Sequence, residues 1–314
     1  MKKAIVKIFF WLLLASISIF IIYSFKSEKS VYDLRNRWDE NKSNYVLVDD
    51  ISIHYRKFGL SIDSIPILLI PSYNFSGYIF QNLALEMKAE KDCYYLDLPN
   101  TGLSESNKDE VDWKLDQYSD FIKDFMAELK IKKAYLVGQG FGAEVAMDFS
   151  VKYPDMVEKL ISINPLGRQE DNENTTLYFK LLKTPFLGKF LYNIKPEFLM
   201  KKFYNSLFYG NKELSEPLFE RFEDDFNRIG FQNRIEFILS DTTNNRMLDI
   251  HEIPVKTLFL ESQRGFYYKN SRMVEYKNKL PSSDTLSLES KGQLPMINYP
   301  DKLNKIIFAF INQK

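Results

Sequence analysis

The chain has 314 residues, 45% of them apolar and 15% aromatic, which suits one large domain or a domain carrying an insertion. Its 42 basic and 42 acidic residues cancel to a net charge of +0, which argues against nucleic acid or a strongly anionic partner. The lone cysteine, Cys93, excludes an internal disulfide and a cysteine metal cluster, and reads as a small buried hydrophobe in a strand.

The opening run MKKAIVKIFFWLLLASISIFIIYSF has no charge from Ile8 to Phe25 and, extended back to Ala4, is long enough to span a bilayer. A cleavable signal peptide is the alternative. The length of the apolar run, and the lack of a small-x-small site after it, favour an uncleaved transmembrane anchor over residues 1–25. Lys2, Lys3 and Lys7 precede the run; Lys26 and Lys29 follow it, partly offset by Glu28. This bias places the N-terminus in the cytoplasm and the main domain outside. Residues 26–43 are polar and charged and read as a stalk.

From residue 44 onward strand and helix patterns alternate. YVLVDDISIHYRKFG predicts a β-hairpin turning near Asp49 and Asp50, and IPILLIP a short, fully apolar strand. YIFQNLALEMKAEK has helical spacing, CYYLDLP is strand-like, and DQYSDFIKDFMAELKI is an amphipathic helix. KAYLVG is a strand leading through a glycine turn into the helix AEVAMDFSVKYP, and KLISINP is another strand. Residues 168–250 then show helical periodicity, many aromatics and no good strand, which reads as an inserted lid. The alternation resumes with PVKTLFLES, a helix near Ser271 to Lys279, the strand DTLSLES and the helix YPDKLNKIIFAFINQ. The pattern predicts an α/β fold: a mainly parallel sheet covered by helices on both faces.

These segments also carry motifs. LVGQGFGAEVA places Gly138, Gly140 and Gly142 on a strand–turn–helix resembling a nucleophile elbow, and DLPNTGLS, Asp97 to Ser104, resembles an Asp-x-Pro-Gly-x-Gly-x-Ser loop with Asn100 at its first glycine. With ISIHYRKFG, YPDMVEKLISINP and PDKLNKIIFAFI in the matching order, residues 44–314 resemble the α/β-hydrolase family. The resemblance implies a nucleophile, an acid and a histidine, and the sequence departs at each. Gly140 stands at the nucleophile. Arg264 in LFLESQRGF is the best match to the acid, a small shift would offer Glu261, and Asn164 occupies the acid position some members use after the sixth strand. Gln293 in KGQLP stands at the histidine, and Pro71-Ser72 where a His-Gly pair helps shape the oxyanion hole.

The chemistry needs a nucleophile, a base within hydrogen-bond reach and a group that orients the base. Glycine offers no attacking atom, and glutamine cannot accept and return a proton near pH 7. Removing one member of such a triad costs roughly a millionfold in turnover. His54 in the opening hairpin and His251 in DIHEIP are the only histidines; both read as ordinary polar positions remote from the expected site. Ser72 is the best substitute nucleophile, with a turn role the plainer reading; Ser76 and Ser104 are loop serines, and Glu144 suits a helix N-terminus.

What the resemblance leaves is a cradle. Amides near Phe141 and Gly142 are expected to face a ligand, with Tyr73 opposite. The ligand-binding candidates are therefore Ser72, Tyr73, Gly140 and Phe141. No metal and no cofactor is expected. The aromatic lid reads mainly as its own core and its seat on the sheet, and also as the roof of an apolar pocket. Together these features point to a membrane-anchored pseudo-hydrolase binding a small apolar or acyl-type ligand or a protein partner. The alternatives are an active hydrolase of an ester or amide using non-standard residues, and a purely structural or interaction protein.

Overall fold

A computed structural model describes residues 2–40, 42–59, 65–73, 75–106, 114–165, 184, 187–208, 214–231, 253–264 and 273–313. Eight strands form one sheet: β1 (Asn44–Val48), β2 (Ile51–Phe58), β3 (Ile67–Ile70), β4 (Cys93–Leu96), β5 (Ala134–Gln139), β6 (Val157–Ile163), β7 (Thr257–Arg264) and β8 (Asp284–Lys291). Their order across the sheet is β1-β2-β4-β3-β5-β6-β7-β8. β1 with β2 and β2 with β4 are antiparallel; all later neighbours are parallel. Asp49 and Asp50 both have positive φ (49° and 62°), the backbone a two-residue hairpin turn demands, and short Asp side chains tolerate it.

The helices are α1 (Lys2–Ser24), α2 (Val31–Trp38), α3 (Gln81–Met87), α4 (Leu115–Glu128), α5 (Phe141–Lys152), α6 (Leu187–Tyr192), α7 (Glu197–Phe208), α8 (Glu216–Asn227), α9 (Met273–Lys279), α10 (Pro295–Asn298) and α11 (Pro300–Ile311). All four residues of β3 are buried, because the strand alternation feeds two cores. Ile67 and Leu69 face one core with Phe80 and Leu83 beside and in α3, Ile307 of α11, and Phe222 and Phe226 of α8. Leu68 and Ile70 face the other with Phe121 and Phe125 of α4, Phe149 of α5 and Tyr276 of α9. Cys93 is fully buried, and that burial pushes its thiol up to about 12.

α6, α7 and α8 lie between β6 and β7, where the lid is expected; the remainder of 168–250 is largely outside the described residues, as is His251. Within segment 26–43, expected to be a stalk, Lys26, Lys29, Arg37 and Trp38 bond α8. Ser30 caps α2 reciprocally with Asp33, a capping box. Lys29 pairs with Asp224 of α8, and Arg37 bonds Asp224 at 2.9 Å and Glu220 at 2.6 Å. The charges that read as solvated in sequence have acidic partners nearly two hundred residues away.

β3 sits at the sheet's centre, with β4 on one side and β5 on the other. The strand order therefore reverses between β3 and β5, and α/β folds place ligands outside the carboxyl ends of the strands at such a point. The segments Pro71–Tyr73 and Gly140–Gly142 border it.

Candidate functional site

Gly140 links β5 to α5 with φ 57° and ψ −121°, a backbone that L side chains rarely adopt. The turn is tight as well as twisted. A Cβ on Gly138 would lie 2.3 Å from the Gly142 carbonyl oxygen, and one on Gly142 would lie 2.2 Å from the Ile70 oxygen and 2.4 Å from the Pro71 oxygen. Only glycine permits helix, turn and β3 to approach this closely. The Gly140 amide donates to the Ile163 carbonyl at 3.0 Å, tying the elbow to the end of β6.

The positions beyond β6 and β8 converge on this elbow. Asn164 is fully buried with φ 45°. Its Nδ2 donates to Ser262 Oγ at 3.0 Å and to the Gln293 carbonyl at 3.1 Å, while its Oδ1 accepts from the Ser262 amide at 2.8 Å. Gln293 Nε2 donates to the Asn164 carbonyl at 3.2 Å, and Gln139, next to Gly140, donates to the Gln293 carbonyl at 3.4 Å. The Gln293 amide donates to Leu207 of α7, so the same loop holds the lid. Amides thus bond to amides where the resemblance implies an acid and a base. A neutral carboxamide donates and accepts but does not take up a proton near pH 7.

Arg264 closes β7, opposite Lys291 in β8; its side chain is outside the described residues. The β7 side chain that bonds Asn164 is that of Ser262, and the Asn164 amide donates to the Leu260 carbonyl. Glu261, the shifted alternative, is a buried strand residue paired with Ser287.

Ser72, Tyr73, Gly140 and Phe141 come together, in a form that differs from an open cradle. The Phe141 amide donates to Ser72 Oγ at 3.2 Å, so a hydroxyl of the chain occupies a donor expected to face a ligand. Tyr73 packs its ring 5.5 Å from Phe141 and 5.6 Å from Tyr118, and all three are buried. The Ser72 hydroxyl meets an amide, not an imidazole.

His54 departs from the sequence reading. It is 2% exposed, and its Nδ1 lies 2.8 Å from Asp97 Oδ2 and its Nε2 3.1 Å from Ser43 Oγ. With the proton on Nδ1, Nε2 accepts from the Ser43 hydroxyl. These are the residue types and order of contacts of a Ser–His–Asp relay. They sit at the β1–β2–β4 edge, with Asp97 two strands from β5, about 10 Å at ordinary strand spacing. Asp97 also accepts from the amides of Gly77 at 2.6 Å and Leu103 at 2.7 Å. Burial alone would raise its carboxyl; the His54 ring, the Arg221 charge and the Leu103 amide outweigh that and hold it below the usual carboxylate range.

The loop after Asp97 is clamped by the lid. Arg228, 2% exposed, donates to the Gly102 carbonyl at 2.7 Å and the Ser104 carbonyl at 2.5 Å, and Asp225 accepts from the Ser76 amide at 3.1 Å. Asn100 has φ 64°, a left-handed position that asparagine fills where the motif has glycine. Among the described residues no group of His, Cys, Asp and Glu has the arrangement of a metal site.

A mainly parallel sheet with helices inserted between β6 and β7, and a strained glycine at the tip of a strand–turn–helix, defines an α/β protein built around an elbow. Comparison with known proteins agrees. The profile for the alpha/beta hydrolase fold matches residues 65–198. The Caenorhabditis elegans protein "Epoxide hydrolase 1" is 28% identical over 139 residues, 44% of this chain and only 33% of that one. Mouse "Epoxide hydrolase 4" is 22% identical, over 86% of this chain and 79% of that one. Among solved structures, a membrane phospholipase A described as a bacterial virulence factor superimposes with a TM-score of 0.74 at 18% identity, covering 99% of this chain and 98% of that one. The chain has the α/β-hydrolase fold.

Proposed function

We propose that this is a membrane-anchored α/β-hydrolase-fold protein that binds a small apolar or acyl-type ligand, or a protein partner, without turning it over. The observation that carries this reading is the elbow itself: its backbone is held at φ 57° and ψ −121° with no side chain to present, amid the buried carboxamides of Asn164, Gln139 and Gln293. Support for the anchor comes from Ile5–Ser24, 20 helical residues of mean hydropathy 2.6, exposed from Ile5 to Phe20. On the lysine bias, the folded domain sits on the extracytoplasmic side.

The test is covalent. A serine-directed fluorophosphonate is expected to leave the full-length protein unlabelled, and short-chain model esters to go unhydrolysed. Labelling lost on Ser72→Ala would overturn the reading at the elbow. Gly140→Ser supplies the missing hydroxyl, and it is expected to cost about 1 kcal/mol of stability, because serine must adopt the strained φ. It restores no hydrolysis, since no neighbouring amide can accept the proton. A raised melting temperature in that variant would refute the strained elbow.

One observation favours a second reading, hydrolysis of an ester or amide by non-standard residues. It is the contact of Ser43, His54 and Asp97. On that reading the fluorophosphonate labels the protein, and Ser43→Ala abolishes the labelling while Ser72→Ala does not.

A further inference from the structure

We propose that the first turn of α7, with Leu187 and Phe25, is a lipid-facing patch that seats the lid in the surface of the bilayer holding α1, so that apolar ligands reach the lid from the membrane. The proposal rests on the anchor reading of α1.

The chain leaves α1 directly into the lid. The Ser24 carbonyl accepts from the Lys195 amide at 2.7 Å, and the Lys26 amide donates to the Asn193 carbonyl at 2.9 Å, making an antiparallel bridge between Phe25 and Ile194. A second backbone bridge follows: the Lys29 amide donates to Asn227 and the Ile229 amide to Lys29. Ion pairs reinforce both, from Lys26 to Glu223 at 3.0 Å and from Lys29 to Asp224. Trp38 Nε1 adds a bond to Asp224 at 2.7 Å. With backbone and side chains both engaged, the lid is fixed at the end of the helix.

That placement sets the lid's depth. The polar zone of a bilayer is about 5–8 Å thick on each side of a ~30 Å hydrocarbon core. Phe198 is three residues from Lys195, so its backbone lies within about 11 Å of the residue that bonds the end of α1. Phe198 is 63% exposed, Leu199 42%, Leu187 45% and Phe25 55%. A single exposed leucine needs no explanation, but four apolar side chains around the exit of one apolar helix form a patch at interfacial depth. Tyr23 at the same end, 83% exposed, suits the aromatic belt. The acids near it, Glu197, Glu220, Glu223 and Asp224, are each paired with a cation.

The test uses the full-length chain in phosphatidylcholine vesicles, with an environment-sensitive fluorophore on single introduced cysteines. Cys93 is buried and stays in place. Phe198→Cys and Leu199→Cys report the patch, Leu13→Cys the anchor, and Lys132→Cys the opposite end of the sheet. Nitroxide-labelled phosphatidylcholine, with the nitroxide at shallow and deep acyl positions, is the quencher. Shallow nitroxide is expected to quench the labels at 198 and 199 roughly twofold or more, as for side chains in the headgroup boundary, and to leave 132 unaffected. If 13 is quenched while 198 and 199 behave like 132, the seating is wrong and the anchor stands. If 13 escapes both quenchers, the anchor reading fails and the seating falls with it.

Discussion

Asp97→Ala is expected to destabilise the protein by about 3–5 kcal/mol, the cost of removing one partner from a buried charged network. Its carboxylate is wholly buried and accepts from two backbone amides and one imidazole. Alanine leaves all three donors without their acceptor, and each buried unsatisfied group costs about 1–3 kcal/mol. The same residue ties β2 to the loop that Arg228 clamps, so the loss reaches both the sheet edge and the lid. The sign with pH follows from the direction of the carboxyl's shift. A folded-state value below the ordinary range contributes stability that is fully present above that range, and is lost as pH falls through the folded value. Urea unfolding of the wild type should therefore weaken below about pH 4, and Asp97→Asn should show a flatter dependence there. A cost for Asp97→Ala no larger than for exposed Asp301→Ala would show that the network bears little weight.

How far such features are legible in sequence depends on the range of the interactions that make them. The sheet was readable because each strand needs only its own residues: ILLI is apolar throughout and buried throughout. Asp49-Asp50 and Asn100 were readable as turn or motif positions because positive φ selects short polar residues or glycine locally. The ion pairs of segment 26–43 were not legible because its lysines and arginines are indistinguishable in sequence from solvated ones. Their partners, Glu220, Glu223 and Asp224, are brought to them only by the folded lid. The short helix Pro295–Asn298 was also not foreseen; four residues give no periodicity to detect.

The candidate site divides the same way. Gly140 was found by local spacing, and Gln293 and Asn164 by order along the chain; the structure places all three around one elbow. The capping of the Phe141 amide by Ser72 was not visible, since Ser72 reads equally as a turn residue. The Ser43–His54–Asp97 set was missed altogether. Its members are 11 and 43 residues apart and meet only through antiparallel pairing of β1, β2 and β4. One signal was available: a histidine in the alternating strand ISIHYRKF of a chain with only two histidines, beside a motif led by an aspartate.

Gly142→Ala is expected to cost about 3 kcal/mol, more than Gly140→Ser, although both replace an elbow glycine. The two constraints differ in kind. At Gly140 the restriction is the dihedral, φ 57°, and a side chain there strains its own backbone by about 1 kcal/mol. At Gly142 the restriction is space. A Cβ would meet the Ile70 and Pro71 oxygens at 2.2 and 2.4 Å, and these are backbone atoms of β3 and the turn leaving it, which no rotamer change can move. The helix must retreat from the strand, disturbing the contacts of Val145 and Phe149 in the core beneath. Denaturant midpoints for the two variants, at equal m-values, separate the effects. If Gly142→Ala unfolded within about 0.5 kcal/mol of the wild type, the close approach of α5 to β3 would not be what fixes the elbow. If Gly140→Ser were the costlier of the two, the strained dihedral would dominate, and the glycine at 140 would be under a stronger folding constraint than its crowded neighbour.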